Sequence, residues 1–182
     1  MLRFFQDIFF ERKKYFFCCI NNSKLIQEYR KMIIKVFDGN PLAANQKAID
    51  AYNVEHRKHP QDQALVKEYV KSLEDIKSAA DKALDKEDFA PAGRNYNVLL
   101  KNYPCFKGFE KRLSFNSSYL NMKLSHCKQS LSKQGFQEYR KGNLSHAISL
   151  WQVLLAIDPH NTEIKDALRT AKLQQKNLQE EE

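Results

Sequence analysis

The chain has few helix-breaking residues and lacks the common catalytic motifs. Five glycines and five prolines occur in 182 residues, which is too few for a many-stranded sheet with its turns. No long alternation of apolar and polar residues indicates strands. A phosphate-binding glycine loop, a dinucleotide fingerprint, a nucleophile elbow and a zinc-protease motif are all missing. We therefore expect an all-helical protein that is not an enzyme and needs no cofactor and no small-molecule substrate.

The cysteines and histidines do not have the spacing of a metal site. The four cysteines are Cys18, Cys19, Cys105 and Cys127, and no two of them are separated by the two residues typical of zinc sites. His56 and His59 could share a helical face, but no third ligand accompanies them. We expect no metal site, and free buried thiols do not require an oxidising compartment.

The first 22 residues are rich in phenylalanine but contain no long apolar run. The rings are Phe4, Phe5, Phe9, Phe10, Phe16 and Phe17. The stretch from Tyr15 to Ile20 is six residues long, shorter than the core of a secretory signal or the roughly 20 residues that cross a bilayer. Residues 1–20 have three open interpretations: a cap on a helical stack, an anchor on a membrane surface, or a misassigned start, with Met32 as an alternative. We expect a cytoplasmic protein, membrane-peripheral if the segment is an anchor.

The chain also contains an internal repeat. Three times the chain runs alanine, three residues, an aromatic, one residue, valine, five residues and proline. The copies are Ala48–Tyr52–Val54–Pro60, Ala92–Tyr96–Val98–Pro104 and Ala147–Trp151–Val153–Pro159. Residues four apart lie on the same helical face, and proline cannot continue a helix. Each copy is therefore predicted to be the packed second helix of a helical hairpin.

The third copy, residues 131–161, is the most specific. With Ala147 as the small residue at the hairpin contact, the other matching positions are Gly135, Tyr139, Gly142, Leu144, Ile148, Trp151, Leu155, Asp158, Pro159 and Asn161. This pattern resembles the tetratricopeptide repeat (TPR). The second copy, residues 76–104, keeps most of the pattern but has Glu87 at the turn glycine. The first copy matches only in its second helix.

The resemblance implies an all-α fold of antiparallel helical hairpins stacked as a short TPR-like array, an α-solenoid. The copies are 44 and 55 residues apart, against about 34 in the family, and the excess predicts elongated first helices. We divide the chain into residues 1–22, hairpins at 23–60, 61–104 and 105–161, and a C-terminal capping helix with a polar tail at 162–182. Helices are expected at 23–36, 41–58, 62–86, 89–102 and 144–157. A long helix is expected from Phe106 to Lys141, with a break near Asn116, and a last one from Asn161 that frays from Gln174.

Mapping the family's groove positions onto this chain selects candidate partner-binding residues. The third repeat contributes Lys133, Phe136, Tyr139 and Arg140, and the second contributes Lys77, Asp81 and Asp85. The two rings could form an aromatic shelf, or they could pack as core against a neighbouring helix. The clamp with which some family members hold a chaperone's terminal carboxylate is missing, because Ser132 and Phe136 occupy its positions.

Positive charge is concentrated in residues 105–142, where eight basic residues stand against two acidic ones. The basic residues are Lys107, Lys111, Arg112, Lys123, Lys128, Lys133, Arg140 and Lys141. Such a block attracts acidic peptides, anionic lipid or nucleic acid. We expect a non-catalytic adaptor, scaffold or assembly factor that binds a protein or peptide in a helical groove, and the basic block favours an acidic partner. The alternatives are a membrane-peripheral scaffold and, less favoured because no nucleic-acid motif is present, a nucleic-acid-binding helical repeat.

Overall fold

The computed structural model describes residues 41–106 and 108–180, with side chains from Asn45 onward, and this part of the chain is helical without a strand. The helices are α1 Pro41–Lys58, α2 Gln63–Asp85, α3 Phe89–Asn102, α4 Ser117–Arg140, α5 Leu144–Ile157 and α6 Thr162–Glu180, with 3₁₀ turns at Tyr103–Phe106 and Glu110–Arg112. The chain divides into two compact units after Tyr69, inside α2. The expectations for residues 1–22 and for a helix at 23–36 lie outside the described residues.

Local capping residues set several helix boundaries. The Oδ1 atoms of Asp62, Asn116 and Asn161 each accept a hydrogen bond from the backbone N–H three residues later, at 3.0, 2.8 and 3.0 Å. Such caps satisfy donors that have no partner inside the helix. The helices predicted at 41–58, 89–102 and 144–157 are confirmed, and so is the break at Asn116.

Two predicted boundaries are wrong. Residues 106–116 were expected to be helical, but the described part of this range, 106 and 108–116, forms 3₁₀ turns and extended chain. Phe106, Phe109 and Phe115 are buried there, and the rings of Phe106 and Phe109 have centroids 6.1 Å apart. Gly108 adopts φ +100° between the first two rings, a conformation that interrupts a helix. The expected fraying from Gln174 is also wrong, since α6 continues to Glu180 and Gln175 Nε2 donates to Ser145 Oγ at 2.7 Å.

In the second unit, α4 supports two neighbouring helices in succession. It has 24 residues, against 14 each in α3 and α5. Phe89 of α3 contacts His126, and Tyr96 contacts Tyr119, with ring centroids 5.7 and 6.5 Å apart. Further along α4, Lys128 Nζ contacts the carboxylate of Asp158, the residue that follows α5, at 2.8 Å. Thus α4 runs antiparallel to both helices, carrying α3 on its first half and α5 on its second.

The alanine and the aromatic residue of each repeated pattern are buried. In the first unit, Ala48 and Tyr52 are buried, and the Tyr52 ring stacks on Tyr69 with centroids 4.9 Å apart. In the second unit, both patterns bury their alanine and aromatic completely: Ala92, Tyr96, Ala147 and Trp151. The prediction that each copy is a packed helix is confirmed. Within the described residues, no helix is both long enough and apolar enough to cross a membrane.

The turns after α2 and α4 have the same backbone conformation but different residues at the critical position. Glu87 has φ +58° and Gly142 has φ +81°. In each turn the next residue, Asp88 or Asn143, donates its N–H to a carbonyl five positions back at 2.9 Å. This is the hydrogen bond of a helix end that usually places glycine in the left-handed region. Glu87 therefore holds a strained conformation that glycine adopts freely.

We expect Glu87→Gly to raise the free energy of unfolding by about 0.5–1 kcal/mol. A side chain in the left-handed region costs roughly 1–2 kcal/mol, and the larger entropy of glycine in the unfolded chain offsets part of the gain. Urea unfolding followed by circular dichroism measures the change. Gly142→Ala is the matched control and should lower stability by about 1 kcal/mol. A loss of stability in Glu87→Gly would show that the backbone at Glu87 is not strained.

Candidate partner-binding site

The site is built where α4 and α5 approach each other at Gly135. A Cβ added to Gly135 would lie 2.6 Å from Cδ1 of Trp151 and closer still to its Nε1, so only glycine fits here. Trp151 is fully buried as a result. Its Nε1 has no hydrogen-bond partner among the described residues, so the indole is held by packing alone.

Two aromatic side chains of α4 rest on this indole. The Phe136 ring meets Trp151 edge-on with centroids 5.0 Å apart, and the Tyr139 ring is tilted at 5.7 Å. Both residues are half-buried, so each has one surface against Trp151 and another open to solvent. The two interpretations of the rings, shelf and core, therefore describe different surfaces of the same side chains.

Lys133 and Arg140 flank these rings on α4 and are exposed. Residues three and four apart on a helix are neighbours, so Lys133, Phe136 and Arg140 form a continuous strip. Neither basic residue forms an ion pair within the part of the chain that the structure describes. We call Lys133, Phe136, Tyr139 and Arg140 the α4 patch.

The nearest acid on α4, Glu138, does not neutralise this patch. Its carboxylate accepts hydrogen bonds from Lys141 Nζ at 2.7 Å and Asn143 Nδ2 at 2.7 Å, and it lies 3.4 Å from His146 Nδ1. These partners, Lys141 first, lower the pKa of Glu138 to about 2. The Glu138 carboxylate is therefore bound by residues at the turn into α5, and the α4 patch keeps its positive charge.

Two of the three groove residues predicted on α2, Lys77 and Asp81, lie in a separate polar cluster. The carboxylate of Asp81 contacts Lys77 Nζ at 2.8 Å and accepts hydrogen bonds from the hydroxyls of Tyr96 and Tyr119 at 2.5 and 2.8 Å. Lys77 Nζ also lies 5.4 Å from the centre of the Tyr119 ring. These four residues, here the Asp81 cluster, join α2, α3 and the start of α4.

Hydrogen bonding controls ionisation in the Asp81 cluster. Burial opposes the charged form of Asp81, but the hydrogen bonds from Lys77 and the two tyrosines outweigh it, so the pKa of this carboxyl is lowered. The hydrogen bond to Asp81 raises the pKa of Lys77. Burial, followed by the bond to the carboxylate, raises the pKa values of Tyr96 and Tyr119. In this cluster one carboxylate is therefore bound by one ammonium group and by two neutral hydroxyl donors.

Six of the seven predicted groove residues therefore form two groups, and the seventh, Asp85, is exposed at the end of α2. Tyr119 and Phe136 are 17 positions apart on α4, which at 1.5 Å per residue is about 25 Å. The α4 patch faces solvent, whereas Lys77 and Asp81 are engaged with each other and with tyrosines. Tyr96 and Tyr119 were not predicted as partners of Asp81, because no local spacing in the sequence indicates that pairing.

The basic block is also divided among different contacts. Lys128 pairs with Asp158 at 2.8 Å, and Lys141 pairs with Glu138 at 2.7 Å. Lys123 Nζ lies 5.6 Å from the centre of the Tyr119 ring. Lys107 lies outside the described residues. The exposed cations with no pairing partner in the described residues include the two that belong to the α4 patch.

No group of acids, histidines and cysteines in the described ranges has the arrangement of a metal site. Cys105 is exposed, while Cys127 is buried and its burial raises the thiol pKa to about 11. Comparisons with models of known protein families, with curated proteins and with solved structures gave no match. The functional interpretation is therefore built on the geometry of these residues.

Proposed function

We propose that the chain is a non-catalytic protein-interaction module of TPR-like hairpins, stacked as a short α-solenoid. It binds a peptide or helix of a partner protein at the α4 patch and acts as an adaptor, scaffold or assembly factor. The observation that carries the proposal is the pair of half-exposed rings, Phe136 and Tyr139, held on the buried indole of Trp151. Lys133 and Arg140 beside them select the charge of the partner.

The contacts with Trp151 favour binding because they restrict the motion of the Phe136 and Tyr139 side chains before a partner binds. An exposed side chain that becomes fixed on binding costs roughly 0.5–1.5 kcal/mol of entropy. Phe136 and Tyr139 are already restricted by their contacts with the indole, so less of this cost remains. Aromatic side chains of this kind dominate the energetics of many interfaces. The preferred partner places an apolar side chain on the rings and carboxylates near Lys133 and Arg140.

Charge reversal tests the α4 patch with little risk to the fold. The full chain is used as bait in a lysate of its own cells, and captured proteins are quantified by mass spectrometry. We expect Lys133→Glu with Arg140→Glu to reduce the recovery of a specific partner at least about tenfold, since like charges across an interface cost several kcal/mol. Tyr139→Ala should also reduce it, and moderate salt should not abolish the wild-type interaction.

The control makes the same charge change elsewhere. Lys165→Glu with Lys172→Glu alters two exposed residues of α6 and should retain the partner. Melting temperatures of both double variants should stay within about 2 °C of the wild type, because surface substitutions change stability by about 0.5 kcal/mol or less. If the α4 variants and the α6 control capture the same proteins in the same amounts, the α4 patch is not the binding site.

A further inference from the structure

A second surface, away from the α4 patch, has the form of a cleft with an apolar floor. It lies where the α2–α3 turn meets α4 and α5, and it has a volume of about 370 Å³, within the roughly 300–1,000 Å³ of ligand pockets. Its floor is apolar and consists of Phe89, Ala90, Leu131 and Leu150. Leu131 is buried and the other three are half-buried. Apolar surface thus remains available at the bottom of an open cleft.

The rim of this cleft is acidic although the whole chain has a net charge of +8. Glu87 and Asp88 come from the α2–α3 turn and Glu138 from α4. Glu87 and Asp88 are exposed and have no ion pair within the described residues. Lys141, Asn143 and His146 lower the pKa of Glu138 to about 2, and the Lys141 ammonium offsets the charge of this carboxylate at 2.7 Å. The net negative charge of the cleft therefore comes from Glu87 and Asp88. The remaining lining residues are Gln134, Gln137 and His146. We call these ten residues the acidic cleft.

We propose that the acidic cleft binds an arginine or lysine side chain from a basic segment of a partner protein, in which apolar residues flank the cation. Such a side chain has an apolar stem that matches the floor and a charged head that matches the rim. A purely apolar occupant would desolvate the carboxylates without compensation. A metal ion is disfavoured because the acids do not converge as ligands in the described part of the chain.

The acidic cleft lies on a different side of α4 from the α4 patch. Leu131 and Glu138 are seven residues apart and share one face, while Phe136 follows Leu131 by five residues, about 140° around the helix. A segment in the cleft and a segment on the patch would therefore carry opposite charges. This inference goes beyond the proposed function, because it holds whether or not the α4 patch binds a partner.

The probe is the capped tripeptide acetyl-Leu-Arg-Leu-amide, titrated into the full 182-residue chain and followed by ¹H–¹⁵N NMR. Its control is the same peptide with citrulline, which keeps the shape of arginine and removes its charge. We expect the arginine peptide to shift the amide signals of Ala90, Gln134 and Leu150, which line the cleft. The citrulline peptide should bind at least about threefold more weakly.

Substitutions on the rim locate the charge. Glu87→Gln with Asp88→Asn keeps both side-chain shapes and should weaken the arginine peptide about three- to tenfold, as expected for two solvent-exposed ion pairs. Glu163→Gln with Asp166→Asn removes the same charge from exposed residues of α6, outside the cleft, and should leave the affinity unchanged. The proposal is overturned if the arginine peptide shifts none of these amides, if the citrulline peptide or MgCl₂ shifts them equally, or if the two double variants bind alike.

Discussion

Gly135→Ala is expected to lower the free energy of unfolding by about 2–3 kcal/mol, the upper part of the range for overpacked cores. The added Cβ would lie 2.6 Å from Cδ1 of Trp151 and closer to its Nε1. The indole cannot move away cheaply, because it is fully buried and carries the Phe136 and Tyr139 rings on its edges. Urea unfolding at pH 7, followed by circular dichroism, measures the loss.

A matched control separates this contact from the general effect of alanine in a helix. Gly93→Ala places a Cβ 2.9 Å from Cδ1 of Ile157, the movable end of a flexible side chain, and 3.2 Å from Cβ of Cys127. We expect it to cost about 1 kcal/mol or less, because Ile157 can adjust and alanine favours the helix.

A double-variant cycle identifies the indole as the cause. In a Trp151→Phe background the smaller ring leaves room for the new Cβ, so Gly135→Ala should cost at least about 1 kcal/mol less than in the wild type. The indole N–H has no partner among the described residues, so phenylalanine loses no hydrogen bond there. Equal costs in the two backgrounds would show that the loss does not come from contact of the added Cβ with the Trp151 indole.

Asp81→Asn is expected to lower the free energy of unfolding by about 2 kcal/mol at pH 7. The substitution keeps the size of the side chain but removes the charge that attracts Lys77 and strengthens the hydrogen bonds from Tyr96 and Tyr119. Hydrogen bonds to a charged group contribute about 1.5–3 kcal/mol. The side chains of Lys77 and Asp81 are 22% and 27% exposed, so solvent screens this pair less than a surface ion pair.

The pH dependence of the difference tests the ionised form directly. The folded-state pKa of Asp81 is lowered from its ordinary value of 3.8. A lowered pKa contributes stability that is fully present above the unfolded-state pKa and is lost as the pH falls through the folded-state pKa. The gap between wild type and Asp81→Asn should therefore be constant from about pH 5 to 7 and shrink below about pH 4. A gap that stays constant down to pH 2 would contradict the role of the charge.

Asp158→Asn is the control for this prediction. Asp158 pairs with a single lysine, Lys128, and its side chain is 30% exposed. Its carboxylate also accepts a backbone hydrogen bond from His160 but has none of the tyrosine donors of the Asp81 cluster, so we expect a loss of about 0.5–1 kcal/mol. A loss equal to that of Asp81→Asn would mean that Tyr96 and Tyr119 add nothing to the cluster.

The positions of the helices could be predicted because the relevant signals are local. Asp62, Asn116 and Asn161 cap helices through hydrogen bonds three residues away, and the buried alanine and aromatic of each repeated pattern are four residues apart. Residues 106–116 were mispredicted as helix, because the turn at Gly108 and the burial of Phe106, Phe109 and Phe115 depend on tertiary packing that the local pattern does not indicate.

For the candidate site, the resemblance to a repeat selected Phe136 and Tyr139 as groove residues, and the structure shows them half-exposed on Trp151. It did not separate them from Lys77 and Asp81, because the repeat spacing predicted a longer α4 but not which residues this extra length would contact. Tyr119, which lies on the extra length, donates to Asp81, so two of the three groove candidates of α2 belong to the Asp81 cluster. The acidic rim formed by Glu87, Asp88 and Glu138 was likewise not predicted, since its members come from different elements.

The sequence by itself determined the positions of most helices and the burial of the alanine and the aromatic residue of each repeated pattern, because these depend on contacts within four or five positions. Only the tertiary structure decided which residues meet across helices. Asp81 reaches Tyr96 and Tyr119 over 15 and 38 positions of chain, and such pairings depend on how far one helix extends along another. The Asp81 cluster depends on that extension of α4, whereas the α4 patch and the acidic cleft depend on the packing of α4 with α5 and with the α2–α3 turn.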